Sequence, residues 1–432
     1  MTRNSSPSRF RPLAIAVVLL LAASLPGAAF AKSKDKHALP PRDTSGVDHI
    51  VVVMMENRSF DHLLGWHPTA DGQQGGLTYP DAMGGEQATY PLASDFQGCA
   101  HPDPDHSWEG GRVDVNDGAM NGFLLAGTND AFAIGYYEEA ARPFFNSLAL
   151  EYTTFDRFFA PILAETYPNR IFMHAAQTDR LENTLDLSTL PTIWDRLGER
   201  GVSAQYYFSD VPFLLLWGLK YVPISTPIES FFADAASGNL PAVSFVDPRF
   251  AGEAEGVSGD DHPHADIRTG DAFLAEAFHA VASGPDWGTT VFIVTYDEWG
   301  GFFDHVAPPR AAAPNTVDPD LVNGKALLGL RIPVVVASPF TRGSRVSPRV
   351  DSTVYDNTSI LKLIEWRWNL KPLTARDAST DVGNLVFALD LAHPDGTVPA
   401  LPLPAPPPVQ PCPDGFPVPT DLQLEDLLAL VP

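Results

Sequence analysis

The chain has 432 residues, with 28 Lys+Arg against 53 Asp+Glu, a formal charge of −25 and a pI near 4.7. That excess of acid excludes a nucleic-acid binder working through phosphate neutralisation, which needs a basic face, and disfavours an anionic membrane surface as partner. Hydrophobic residues make up 44 % and charged residues 19 %, which excludes disorder of the whole chain and leaves material for a large core.

Residues 1–31 read as a signal peptide. Arg3, Arg9 and Arg11 form a basic start, residues 13–25 (LAIAVVLLLAASL) an apolar stretch, and Ala29-Phe30-Ala31 a small-x-small cleavage site. The apolar run is too short for a spanning helix, which needs ~20 residues, so no stable membrane insertion is expected after cleavage. Export to the periplasm or beyond is the expected outcome. Removing three arginines and no acids takes the net charge from −25 to −28. In an oxidising compartment the two cysteines, Cys99 and Cys412, are expected to pair and tie the tail to the body. Residues 32–45 are polar and expected to be flexible.

Residues 50–55 (IVVVMM) then form a continuous apolar run rich in β-branched residues, which predicts a strand buried on both faces. Similar runs recur at 202–208, 241–246, 289–296 and 332–337. Between them lie helical stripes: Phe273, Leu274, Ala277, Phe278 and Val281, then Ile360, Leu361, Ile364 and Trp368. Strands alternating with amphipathic helices predict an α/β fold with a mostly parallel central sheet flanked by helices, over residues 46–398. Residues 211–217 (VPFLLLW) fit a buried helix better than a lipid channel. From 399 to 419, ten of 21 residues are proline, so a C-terminal strap is expected, with a short amphipathic helix at the end of the 399–432 tail.

In open α/β sheets, ligands bind beyond the carboxyl ends of strands. Two strands here run straight into acidic and amide groups: Glu56-Asn57-Arg58-Ser59-Phe60-Asp61-His62, and Asp297-Glu298-Trp299-Gly300-Gly301-Phe302-Phe303-Asp304-His305. Carboxylates after a buried strand are costly unless compensated. Oxygen ligands of this kind suit one hard divalent ion, Mg²⁺, Ca²⁺ or Mn²⁺. The competing reading is that Asn57 or Ser59 caps a following helix. Thr166, in Thr166-Tyr167-Pro168-Asn169-Arg170, precedes a helical pattern, where backbone N–H groups and the dipole favour a phosphate; it reads either as an N-cap or as an activated nucleophile. His101, His106, His262 and His264 occupy polar loops, and surface placement is expected for His101 and His264.

Together the three motifs resemble the signature of a phosphoesterase family containing bacterial phospholipases C, plant non-specific phospholipases C and bacterial acid phosphatases, similar in fold to alkaline phosphatase. The likeness runs over residues 47–377. It implies a metal held by Glu56, Asn57, Asp297 and Glu298, with Thr166 both ligand and nucleophile. It further implies phosphate-site histidines at His106 and His262, and substrate contacts from Asn57, His305, Asn169 and Arg170. Where many relatives carry His, this chain has Asn357. The expected function is an exported metal-dependent phosphoesterase of phospholipase C type, cleaving a phosphodiester through a phosphothreonine intermediate. The alternatives are an acid phosphatase taking small monoesters and an exported binding protein without activity. The expected partners are therefore a phospholipid or small phosphate ester and no nucleic acid.

Overall fold

A computed structural model of the chain describes residues 1–2, 38–417 and 422–430. The segment assigned to the signal peptide lies outside the described residues apart from its first two. From residue 40 on, the described residues form one compact unit.

Its centre is an eight-stranded sheet of β1 (His49–Met55), β2 (Thr153–Phe155), β3 (Ala204–Phe208), β4 (Ser225–Pro227), β5 (Val243–Asp247), β6 (Thr290–Tyr296), β7 (Val335–Ala337) and β8 (Arg349–Asp351), in the order β8-β2-β7-β6-β1-β5-β3-β4. Within it β7 runs against both its neighbours, and the other pairings are parallel. The longest apolar runs became the central strands. Alternation of buried and exposed positions is absent from β1: residues 50–55 are all buried, as are all seven residues of β6. A strand buried on both faces needs helices in front and behind.

Those helices are α1 (Phe60–Leu64), α2 (Trp108–Val115), α3 (Pro143–Glu151), α4 (Thr166–Ala175), α5 (Ile193–Arg200), α6 (Ile228–Ser237), α7 (Ile267–Ser283) and α8 (Thr358–Trp368). Six of them pack in two groups, α3 and α6 on α7, and α5 and α8 on α4. The α7 stripe predicted from Phe273 to Val281 buries Leu274, Ala277, Phe278 and Val281, and Asp266 caps the helix by accepting the Arg268 N–H. Residues 211–217 contribute to core: Phe213 to Trp217 are buried in the 3-10 helix Phe213–Ile224.

β1 and β6 are parallel neighbours in register from His49↔Thr290 to Met55↔Tyr296. The residues after these two strands therefore emerge at the same sheet edge, and Asp247, the last residue of β5, emerges there too, on the other side of β1. Residues 399–417 form no helix or strand and include Cys412, disulfide-bonded to Cys99. The chain ends in the 3-10 helix Leu424–Leu430, with Leu424 and Leu427 buried.

Candidate active site

At the carboxyl edge of the sheet the two strand-end motifs interlock. The Asn57 backbone N–H donates to Asp297 Oδ1 at 3.0 Å, and the Arg58 N–H donates to the Glu298 carbonyl at 3.1 Å. Asn57 reaches this position with a positive φ of 56°. Gly300, at φ +63°, passes so close that a Cβ there would lie 2.0 Å from the Asn57 carbonyl oxygen, so only glycine fits. Ser59 caps α1, accepting the His62 N–H at 3.3 Å. Of the two residues weighed as caps in this motif, Ser59 takes the task and leaves the Asn57 amide to the site.

The Asn57 side chain lies between Thr166 and His106. Its Oδ1 accepts from Thr166 Oγ1 at 3.4 Å, and its amide donates to His106 Nε2 at 3.1 Å. Thr166 is the first residue of α4, not the residue before it; the N-cap position belongs to Glu165, and Thr166 Oγ1 points to Asn57. His106 and His262 are oriented alike. Each ring turns Nδ1 to a backbone carbonyl, Pro104 at 2.8 Å and Pro263 at 2.9 Å, so Nε2 of each faces the site. One ring nitrogen of each and the Asp103 carboxylate lie within 4.8 Å of one another, with His262 Nε2 3.8 Å from Asp103 Oδ2. Burial, with His106 nearby, pushes His262 well below the usual imidazole range and keeps it neutral.

Glu56, Asp297 and Glu298 are all buried. Burial drives each carboxyl upward; Arg170 opposes this at Glu56 and Asp297, and His106 at Glu298. Among the described residues, Asp297 Oδ2 and Glu298 Oε1 accept no hydrogen bond. These two oxygens, near cations only at 3.5 Å (Arg170 to Asp297) and 4.0 Å (His106 to Glu298), together with the Glu56 carboxylate, the Asn57 amide and the Thr166 hydroxyl, offer oxygen donors of the kind a hard divalent cation takes.

Arg170 and Asn169 sit differently from the expected substrate contacts. Arg170 is buried, with Nε 3.0 Å from Glu56 Oε1 and 3.5 Å from Asp297 Oδ2, and Nη1 3.3 Å from Asp247 Oδ1. Its guanidinium is thus a structural counter-charge. Asn169 accepts the Ile162 N–H and donates to the carbonyls of Ala164 and Glu165, bracing the turn into α4. His305 hydrogen-bonds Asp61 through Nδ1 at 2.5 Å and Asp71 through Nε2 at 3.2 Å, in a network where Arg331 also pairs with Asp61 and Asp304. None of these partners belongs to the Glu56–Thr166 group. His264, expected at the surface, is fully buried and bonded to the His101 carbonyl at 2.9 Å, whereas His101 is half-buried against Asp130. Asn357 is also buried, held by Thr295 Oγ1 and the Tyr296 carbonyl of β6.

Two groups at the site escaped the reading of the sequence. Asp247 ends a buried strand just as Glu56 and Asp297 come directly after theirs, and that shared pattern was the available signal. Glu253 opens the short 3-10 helix Glu253–Glu255 with no periodicity to mark it, yet its carboxylate comes within 4.8 Å of those of Glu56 and of Asp260, the latter in the Asp260-Asp261-His262-Pro263 stretch that the family likeness includes.

A mostly parallel sheet that brings carboxylates, an amide, a helix-start hydroxyl and two imidazoles to one edge defines a hydrolase acting on phosphoester bonds. The family model described as Phosphoesterase family matches residues 47–371, and the chain belongs to that family. Non-specific phospholipase C6 of Arabidopsis thaliana is 32 % identical over 373 residues, covering 77 % of this chain and 71 % of the plant protein. Phospholipase C A of Mycobacterium tuberculosis is 29 % identical over 425 residues, covering 82 % and 79 %. Among solved structures, a protein in the alkaline phosphatase superfamily from Vibrio parahaemolyticus overlaps 78 % of this chain and 69 % of its own, at 12 % identity and a TM-score of 0.38. Among the described residues no helix is long and apolar enough to cross a membrane.

Proposed function

We propose that the protein is an exported, metal-dependent phospholipase C that cleaves a phosphodiester through a phosphothreonine intermediate at Thr166. The observation that supports this reading is the Thr166 hydroxyl at the start of α4, donating to Asn57 Oδ1, while the Asn57 backbone N–H bonds Asp297. Glu56, Asn57, Asp297, Glu298 and Thr166 would hold the cation. When bound, it supplies Lewis-acid charge to the non-bridging oxygens and lowers the pKa of the threonine hydroxyl.

The residues do the rest. Thr166 Oγ1, having given up its proton to solvent, attacks phosphorus in line as the bond to the leaving oxygen breaks, and the helix start places positive potential where equatorial oxygens gain charge. His262, fixed by its Nδ1–H bond to the Pro263 carbonyl, turns Nε2 toward the departing oxygen, while His106 Nε2 accepts from the Asn57 amide. An anionic substrate raises the proton affinity of the buried His262 ring, so it carries the proton that the leaving alcohol takes, with His106 in that role only where its bond to Asn57 opens. Water then releases phosphate ester from Thr166, and Arg170 and Asn169 keep the carboxylates and the helix start in place throughout.

The names of the relatives support a phospholipid substrate, and the acid excess of the chain favours a zwitterionic one. The deciding experiment offers phosphatidylcholine and a simple aryl phosphate to the same preparation. Diacylglycerol and phosphocholine as products, with a phosphocholine mass addition on Thr166 after acid quench, are expected. Turnover of the aryl monoester alone would replace this reading with the acid phosphatase, and a Thr166→Ala variant with unchanged rate would remove the intermediate.

A further inference from the structure

The C-terminal segment touches three of the loops that build the site. At the first, Cys412 is bonded to Cys99, a few residues before Asp103 and His106 in the chain, and Gln97 Nε2 donates to the Gln410 carbonyl at 2.9 Å. At the second, the Cys412 N–H donates to the Glu255 carbonyl at 2.9 Å, and the Leu424 N–H donates to Glu253 Oε2 at 2.8 Å. The Glu425 carboxylate accepts the N–H groups of Gly252 and Ala254 at 2.7 and 3.3 Å. At the third, Tyr167, next to the candidate nucleophile, donates its hydroxyl to the Gln423 carbonyl at 2.7 Å; its N–H donates to Asn183, whose amide donates to the Leu422 carbonyl at 2.9 Å.

These contacts lead inward. Glu253 comes within 4.8 Å of Asp260 and Glu56 through their carboxylate oxygens. Asp260 accepts the His262 N–H at 2.9 Å through its side chain, and the Glu56 N–H at 2.9 Å through its carbonyl. A displacement of the tail is thus passed through Glu253 and Asp260 to His262 and Glu56, and through Tyr167 to the start of α4. Leu424 and Leu427 are buried, so the segment is packed against the body and not merely laid over it.

We propose that the C-terminal segment is part of the framework of the catalytic site, with Glu253 as a positioning residue, and that the Cys99–Cys412 bridge makes the competence of the site depend on oxidation. The proposal rests on the phosphoesterase reading of the site. Reduction by dithiothreitol breaks the S–S bond, and two electrons and two protons yield the Cys99 and Cys412 thiols while the reductant closes to its own cyclic disulfide.

The test uses the full chain in five forms, oxidised wild type, reduced wild type, the Cys99→Ser/Cys412→Ser variant, Glu253→Ala and Glu253→Gln, all assayed well below their melting temperatures. Amide hydrogen exchange is expected to rise on reduction, and in the double serine variant, in peptides spanning 99–106, 166–170 and 252–264 as well as in the tail. In the same forms kcat should fall by about tenfold or more, with KM changed by less than about threefold. Glu253→Gln, which can still accept the Leu424 N–H, should recover most of what Glu253→Ala loses. Exchange that rises in residues 399–430 alone, or a kcat within about twofold of wild type in the reduced forms, overturns the proposal. If oxidised wild type turns over no phosphate ester at all, the proposed function fails, and the exchange pattern by itself decides whether the tail braces these loops.

Discussion

Replacing Arg170 by methionine leaves Glu56, Asp247 and Asp297 facing one another without their shared cation. The charged atoms lie 3.0, 3.3 and 3.5 Å apart in a buried site. At an effective dielectric of ~20, each attraction is about 5 kcal/mol gross. Desolvation cancels most of that in the intact site, but removing one partner of a buried ion pair typically costs ~3–5 kcal/mol, because the remaining charges stay buried and unpaired. Spread over the roughly 390 residues of the compact unit, with an unfolding entropy of ~2.1 cal/mol/K per residue, the loss corresponds to a melting temperature lower by about 4–6 °C. Scanning calorimetry of wild type and Arg170→Met in EDTA measures it directly. Repeating the scan with millimolar Mn²⁺ should shrink the deficit, since a bound cation restores charge beside the same carboxylates. A variant melting within about 1 °C of wild type in EDTA, or a deficit untouched by the metal, refutes the assignment of Arg170 as counter-charge.

Thr166→Ala should lose at least about 10³-fold in kcat on a choline phosphodiester, with Thr166→Ser keeping far more because it retains the hydroxyl; equal rates for alanine and wild type would sink the nucleophile. Chelation followed by gel filtration should abolish turnover, and Mg²⁺, Ca²⁺ or Mn²⁺ should restore it, as read by activity alongside metal content. Gly300→Ala, whose new Cβ would meet the Asn57 carbonyl at 2.0 Å, should lower both melting temperature and kcat, and a variant indistinguishable from wild type in both would contradict the tight interlock of the two strand-end motifs. His174 is buried among Trp194, Tyr206, Phe213, Trp217 and Phe245, and burial, reinforced by Arg170, pushes its pKa down to about 3. Between its ordinary value near 6.5 and about 3, the unfolded chain binds the proton and the folded one does not, so stability falls as pH falls through that window, by order ~5 kcal/mol. His174→Leu should flatten that slope in urea melts from pH 7 to 4, and an unchanged slope would show that other groups carry it.

The central strands and the family motifs were legible because their signals are local. IVVVMM at 50–55 needs no knowledge of its partners to be read as a strand buried on both faces, and residues 56–57 and 297–298 announce themselves by coming directly after such runs. The strands at 153–155, 225–227 and 349–351 were not legible, since three-residue strands are set by the neighbour they pair with and carry no periodicity of their own. The partners of Arg170 and Asn169 were not legible for a related reason. Polarity beside a catalytic motif looks like a substrate contact until the fold reveals which carboxylates and carbonyls already claim it. His264 illustrates the converse: a polar loop residue buried because the disulfide-tied tail and the 252–264 loop close over it, with Phe416 packed edge-on against its ring at 5.4 Å.

The register of β1 carries a cost during synthesis. Ile50 pairs with Val243 and His49 with Thr290, so the most apolar strand emerges from the ribosome long before either neighbour exists. At ~5–20 residues per second, the wait for the first of them is roughly 10–40 s. Throughout it the IVVVMM segment has no hydrogen-bonding partner in its own sheet and the composition of an aggregation-prone stretch. A nascent chain of this design needs a holding factor, or a delay in collapse, until residues 243–296 have been made.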